Sequence, residues 1–135
     1  MHVPMITANY LAILALLYTV LALQVMRLRQ GNRADFGDGD SASLRSAIRV
    51  HANFAEYVPI IALMVALLEM SGASALRVHV LMGALLVSFH PLGMYAKPNT
   101  LPFWIGRAGG IAITIGLLIA SALMILTRFG FGATN

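Results

Sequence analysis

From Val3 to Met26 the chain carries no charged residue. As a helix, a run of that length crosses the roughly 30 Å of hydrocarbon in a bilayer. In lipid every backbone N–H and C=O must be satisfied within the structure, and a helix does this inside one segment. Three further apolar runs follow, at about 44–70, 76–95 and 103–127. The expectation is an all-α integral membrane protein: one domain over residues 1–135, a bundle of four transmembrane helices with spans at about 3–26, 44–70, 76–95 and 103–127. Composition excludes the soluble alternative. The sequence is 59% hydrophobic and 10% charged, whereas soluble domains carry about 25% charged residues. A soluble fold of this size could not hide so much apolar surface. The first run is also too long for the apolar core of a signal peptide and has no basic lead, so it reads as a retained span.

The net charge of +4 would suggest nucleic acid in a soluble protein, but here the cations sit at the ends of apolar runs. That placement is membrane topology, and no nucleic-acid partner is expected. Short connectors make neighbouring helices antiparallel, so the first and third loops share a side. Arg27, Arg29, Arg33, Arg45, Arg49, Lys97 and Arg107 belong to that side, and Arg77 and Arg128 to the other. By the positive-inside rule loops 1 and 3 are cytoplasmic and both termini lie on the opposite side. The absence of cysteine excludes disulfides and a protein thiolate.

Residues 30–44 form the one substantial polar loop, rich in Gly and Asp. Asp38-Gly39-Asp40 is similar to the start of a calcium loop, but Ala42 occupies the next ligand position and no Glu closes the pattern. With His79 and His90 of span 3 lacking a carboxylate at ligand spacing as well, no metal is expected. Asp40, Ser41 or Ser43 is placed to cap the second helix. Small residues recur along span 4 at Gly106, Gly110, Ala112, Gly116 and Ala120, which allows close helix approach within a subunit or between subunits. Pro91 is placed to kink or end span 3.

Span 2 is unusual. Its second half reads as plainly apolar, but its first half carries Arg45, Arg49, His51, Asn53 and Glu56. A charge within a span costs about 2.5–3.5 kcal/mol on insertion scales. At 100° per residue Arg45, Arg49, Asn53 and Glu56 fall in a sector of roughly 80°, and His51 points nearly the other way. Such a face belongs against a partner helix, another subunit or a water-filled cavity rather than lipid. It serves either an internal ion-pair network or a polar ligand. Arg offers a planar fork to carboxylates, Glu accepts an ammonium, and Asn donates and accepts. Together they suit a zwitterionic, peptide-like molecule. Arg27 and Arg29 end span 1 on the same side, His90 lies near the loop-3 end of span 3, and Arg107 opens span 4. Each also has a plainer role: the arginines as topology or interface anchors, His90 as a packed or capping residue.

The run from Arg49 to Pro59, with Arg49, His51, Asn53, Glu56 and Pro59 in the pattern R-x-H-x-N-x-x-E followed by Pro, resembles the second-helix signature of the MAPEG family, the membrane-associated proteins in eicosanoid and glutathione metabolism. The resemblance covers essentially the whole chain and is to a bacterial-type member. It implies a homotrimer of four-helix bundles in a bacterial inner membrane. Glutathione would be the co-substrate, bound between subunits near the cytoplasmic side, and no metal would be required. Arg49, Asn53 and Glu56 match the family's glutathione-binding trio. Arg27 and Arg29 resemble its basic pair closing helix 1, His90 its helix-3 site histidine, and Arg107 the arginine that faces the glutathione sulfur. Ala52 stands where eicosanoid enzymes often have a second Arg, Val87 replaces an Arg, and Met94 stands where a Tyr is expected; these departures count against eicosanoid chemistry.

The function implied is glutathione transferase or peroxidase activity on lipophilic electrophiles. The bilayer would be both solvent and reservoir for the second substrate. Arg107, near a helix N-terminus, would stabilise the thiolate that such chemistry needs. The alternative is a non-catalytic lipid- or glutathione-binding protein of the same fold, since fold alone does not fix function. A small transporter ranks third, because span 1 holds no coupling carboxylate and Glu56 reads as the only deep acid.

Overall fold

The computed structural model describes residues 3–89 and 100–130, with the side chains of residues 102–104 and 107 left aside. The described residues form an all-helical bundle: α1 (Met5–Asn32), α2 (Ala42–Met70), α3 (Ala75–Ser88) and α4 (Leu101–Ile125), the last running into a π-helical turn, Leu126–Gly130. Three helical stretches, Met5–Asn32, Ala42–Met70 and Ala108–Gly130, are long and apolar enough to cross a membrane, and α3 is a shorter apolar helix.

α1 continues past Met26 through Arg27 and Arg29 and ends at Asn32, with Arg33 left-handed at φ 50°. Arg, Leu and Gln are good helix formers, and long basic stems carry their charge to the interface while the helix runs on. α2 starts at Ala42 because Ser41 caps it, its Oγ accepting the Leu44 N–H at 3.3 Å. Of the three capping candidates, Ser41 is the one used. Pro59 lies inside α2 without ending it; neighbouring helices make this tolerable in a membrane. The described part of span 3 ends at Ser88, so Pro91 and the stretch up to residue 95 lie outside the described residues.

α2 is the central element and packs against α1, α3 and α4. Its Phe54, Val58, Ile61, Val65 and Leu68 meet Leu14 and Leu21 of α1, Val78, Met82 and Leu85 of α3, and Leu117 of α4. The buried residues of α1 are Thr7, Leu14 and Leu21. Their seven-residue spacing makes a narrow seam, and most of the remaining α1 surface faces outward. A helix in lipid has no need of a polar outer face, so an apolar exterior is the expected state. At the loop-1 half of the bundle, Tyr18 of α1 stacks on His51 with ring centroids 4.8 Å apart and lies 5.5 Å from Phe54. His51 therefore belongs to the α1–α2 packing. α3 and α4 approach closely at Gly110, where a Cβ would sit 2.7 Å from the Ser88 carbonyl oxygen. A Cβ on Gly116 would meet nothing within 4 Å, so only the first of these two small residues serves contact within the bundle.

The end opposite loop 1 is closed by polar groups. Pro4 offers no side chain to cap α1. Glu69 of α2 does so instead, accepting the N–H groups of Ile6 and Thr7 at 2.9 Å each and the Thr7 hydroxyl at 2.6 Å. Arg128, in the π-helical turn, donates to the Ser71 carbonyl at the end of α2. The reading of the second half of α2 as plainly apolar, with Glu56 the only deep acid, is thus corrected: Glu69 is a second structured acid.

Candidate functional site

The side of α2 that packs carries Phe54, Val58, Ile61, Val65 and Leu68. By helical phase, Arg45, Arg49, Asn53 and Glu56 lie on roughly the opposite side. The exposures agree: Arg45, Arg49 and Glu56 are exposed and Asn53 is half-buried. The side chains of Arg49, Asn53 and Glu56 make no hydrogen bond or ion pair with other described residues. Toward the other end of α2 the same outward face continues as Ile60, Leu63 and Leu67, all exposed. One face of one helix is therefore ionic in its loop-1 half and apolar in the rest, and the described residues of its bundle leave most of both parts uncovered.

Loop 1 is folded against the ionic half. Arg29, from the last turn of α1, donates through Nη1 to the carbonyls of Ala34, Asp35 and Gly37 at 3.5, 3.2 and 3.2 Å. Gly37 and Gly39, at φ 69° and 54°, supply left-handed turns that carry the chain back toward α2. Between them Asp38 accepts from Arg45 Nε at 2.5 Å and from the Asp40 N–H at 3.2 Å. The Arg45 hydrogen bond, helped by the Asp40 N–H, holds the Asp38 carboxyl below the usual carboxylate range. The Asp38-Gly39-Asp40 segment is thus a turn that pairs with α2. A shallow, open recess of about 400 Å³ lies between loop and helix, lined by Arg29, Gly37, Asp38, Arg45, Ile48 and Arg49.

An ionic stripe of this residue pattern on the second of four apolar helices calls for comparison with known families. The MAPEG family model matches residues 7–127. The chain belongs to the MAPEG family. It is 34% identical over 127 residues to the inner membrane protein YecN of Escherichia coli K12, covering 94% of this chain and 92% of that protein. YecN of Escherichia coli O6:H1 strain CFT073 matches to the same extent. No solved structure matches the chain significantly.

In this MAPEG chain the sequence-derived candidates fall into groups. Arg49, Asn53 and Glu56 stand together on the outward face of α2. Arg29 meets Arg45 and Arg49 around the recess, but its Nη1 is committed to loop carbonyls. Arg27 is exposed on α1 and does not line the recess. Arg107 falls in the second turn of α4 by backbone, and its side chain lies outside the described residues. His90 also lies outside them. His79, given no role from sequence, meets the Ala75 carbonyl through Nδ1 at 2.8 Å and packs edge-on against Tyr10. Two residues escaped the sequence reading. Asp38 looked like a solvated loop acid, although an Asp flanked by glycines seven residues before an Arg was a usable signal. Glu69 looked like the end of an apolar run. The signal there was that α1 opens with no capping side chain, so some distant acceptor was needed.

Proposed function

We propose that this protein is a membrane-bound glutathione-dependent transferase or peroxidase acting on lipophilic electrophiles through a stabilised glutathione thiolate. The observation that carries the reading is the outward face of Arg49, Asn53 and Glu56, unpartnered among the described residues. Ionic groups at that depth are costly unless something completes their coordination, and the described residues of their own subunit do not. Arg49 suits a glutathione carboxylate, Glu56 the ammonium, and Asn53 a peptide group. A second subunit placed over the Ile60–Leu63–Leu67 face would enclose a ligand on the ionic half, which supports a homotrimer with sites between subunits. Arg27, Arg29 and His90 complete the proposed glutathione set on the loop-1 side. The cation bias supports cytoplasmic loops 1 and 3 in an inner membrane, where glutathione is dissolved in the adjoining water and the electrophile in the bilayer.

In this reading Arg107 is the catalytic residue. A guanidinium close to the sulfur favours the thiolate over the thiol. The thiolate then attacks an electrophilic carbon, forming S–C as the bond to the leaving group breaks and the leaving group takes the electron pair. With a hydroperoxide it attacks oxygen instead: O–O breaks, an alcohol leaves after taking up a proton, and the oxidised sulfur is resolved by a second glutathione to disulfide and water. The helix-3 departures at Val87 and Met94 favour a second reading, a non-catalytic lipid- or glutathione-binding member.

Ultraviolet difference spectra during glutathione titration separate these readings. The enzyme predicts saturable binding with a thiolate band in the unmodified protein and binding without that band in Arg107→Ala. Binding without thiolate in both forms supports the non-catalytic role. No saturable binding of glutathione overturns both.

A further inference from the structure

The loop-1 recess presents three guanidinium groups, those of Arg29, Arg45 and Arg49, against one carboxylate, that of Asp38. Arg29 is held by neutral carbonyls, so its charge is not cancelled. Among the described residues Arg49 makes no ion pair, and Asp38 is the carboxylate in contact with Arg45. The recess is therefore net cationic even with its own acid in place.

The Asp38–Arg45 contact is built so that it can open. It is a single bond from Nε to one carboxylate oxygen, not the two-point fork a carboxylate can make with Arg. The side chains are 57% exposed at Arg45 and 33% at Asp38, and ion pairs this exposed are weakly held. If they separate, Asp38 keeps the Asp40 N–H on its other oxygen, and its main-chain carbonyl still accepts from the Ser41 N–H at 2.9 Å. Neither partner is stranded without solvation. Arg45 lies one helical turn from Arg49 on the same face, so a freed guanidinium would extend the ionic stripe toward loop 1.

We infer that Asp38 is a built-in counter-ion that a ligand carboxylate displaces from Arg45, which makes Asp38 and Arg45 specificity-determining residues at the loop-1 end of the site. This rests on the glutathione reading and deepens it. The exchange swaps one carboxylate for another on the same guanidinium, so Arg45 keeps a counter-ion when the site is empty and the site selects ligands with a carboxylate at that end.

The test is calorimetric titration of the detergent-solubilised protein with glutathione and with glutathione whose carboxylates are esterified. Asp38→Asn keeps the size and an oxygen for the Asp40 N–H but removes the competing charge. The expected result is about tenfold tighter glutathione binding, no gain for the ester, and loss of the gain in the Asp38→Asn/Arg45→Gln double variant. Asp38→Ser is the second variant should the amide perturb the loop, with the same direction expected. Unchanged or weaker binding in both Asp38 variants, with the unmodified protein binding normally, overturns the inference alone and leaves Asp38 a loop brace. Absence of glutathione binding in the unmodified protein and in all variants overturns the glutathione reading and this inference with it.

Discussion

The carboxylate of Glu69 accepts both the N–H and the hydroxyl of Thr7, at 2.9 and 2.6 Å, and so ties the start of α1 to the end of α2. Helix starts leave N–H groups without partners, and water is scarce where a helix enters lipid. Thr7 is fully buried, so the tie lies inside the bundle rather than on its surface. Glu69→Ala should lower unfolding stability by about 1–3 kcal/mol, the cost of leaving such donors unmet. Thr7→Ala should cost less, because the Ile6 and Thr7 backbone donors keep their acceptor. Thermal denaturation of both variants in detergent checks the order. A Glu69→Ala variant as stable as the parent would mean the cap contributes nothing.

The ionic stripe should behave in the opposite way. Arg49, Asn53 and Glu56 make no side-chain hydrogen bond or ion pair with the described residues of their own bundle, so single alanine substitutions should shift subunit stability by no more than about 0.5 kcal/mol. Each should weaken glutathione binding by about tenfold or more, since a hydrogen bond to a charged group contributes about 1.5–3 kcal/mol. Paired denaturation and binding curves test this. Large stability losses with unchanged binding would show that the stripe is structural.

Gly110 and Gly116 should respond differently to the same change. An alanine Cβ at Gly110 would lie 2.7 Å from the Ser88 carbonyl oxygen, and backbone against backbone cannot give way cheaply. Gly110→Ala should cost about 1–3 kcal/mol, as overpacking does. Gly116→Ala meets open space within the subunit and should be neutral for folding. Comparing melting midpoints settles the contrast; equal losses at both positions would remove the distinction between an inner and an outer small residue.

Asp38 gives a pH dependence with a definite sign. Its folded-state pKa is depressed by Arg45 and the Asp40 N–H, so the folded state releases the proton more readily than the unfolded chain. The contribution of the pair is therefore fully present above the ordinary carboxyl pKa of about 4 and is lost as pH falls through the depressed value. The stability difference between the parent and Asp38→Asn should be flat at neutral pH and shrink only in acid. A difference that changes between about pH 6 and 8 would point to another titrating group.

Much of the site was legible because charge is conspicuous in an apolar chain. Arg49, Asn53 and Glu56 share a phase that 100° per residue reveals without coordinates. Loop 1 was less legible. Its glycines and acids announced turns, but not that Arg29 would turn inward to bind loop carbonyls or that Asp38 would reach Arg45. Those outcomes depend on left-handed backbone at Arg33, Gly37, Gly39 and Asp40, and on where α1 stops, six residues beyond the last residue of its charge-free run.

The sequence by itself determined that the chain is a bundle of apolar helices in a membrane, that α2 carries one coherent ionic face, and that its residue pattern is that of the MAPEG family. Charges are costly in lipid, so their few positions carry the information. Only the tertiary structure decided that this face turns away from its own bundle, that Glu69 caps α1, and that Gly110 rather than Gly116 is the tight contact with α3. The physical reason is that lipid is as apolar as a protein core. In water, an outward face must be polar and so can be read from the order of residues; in a bilayer, packed and lipid-facing sides of a helix are chemically alike, and only packing tells them apart.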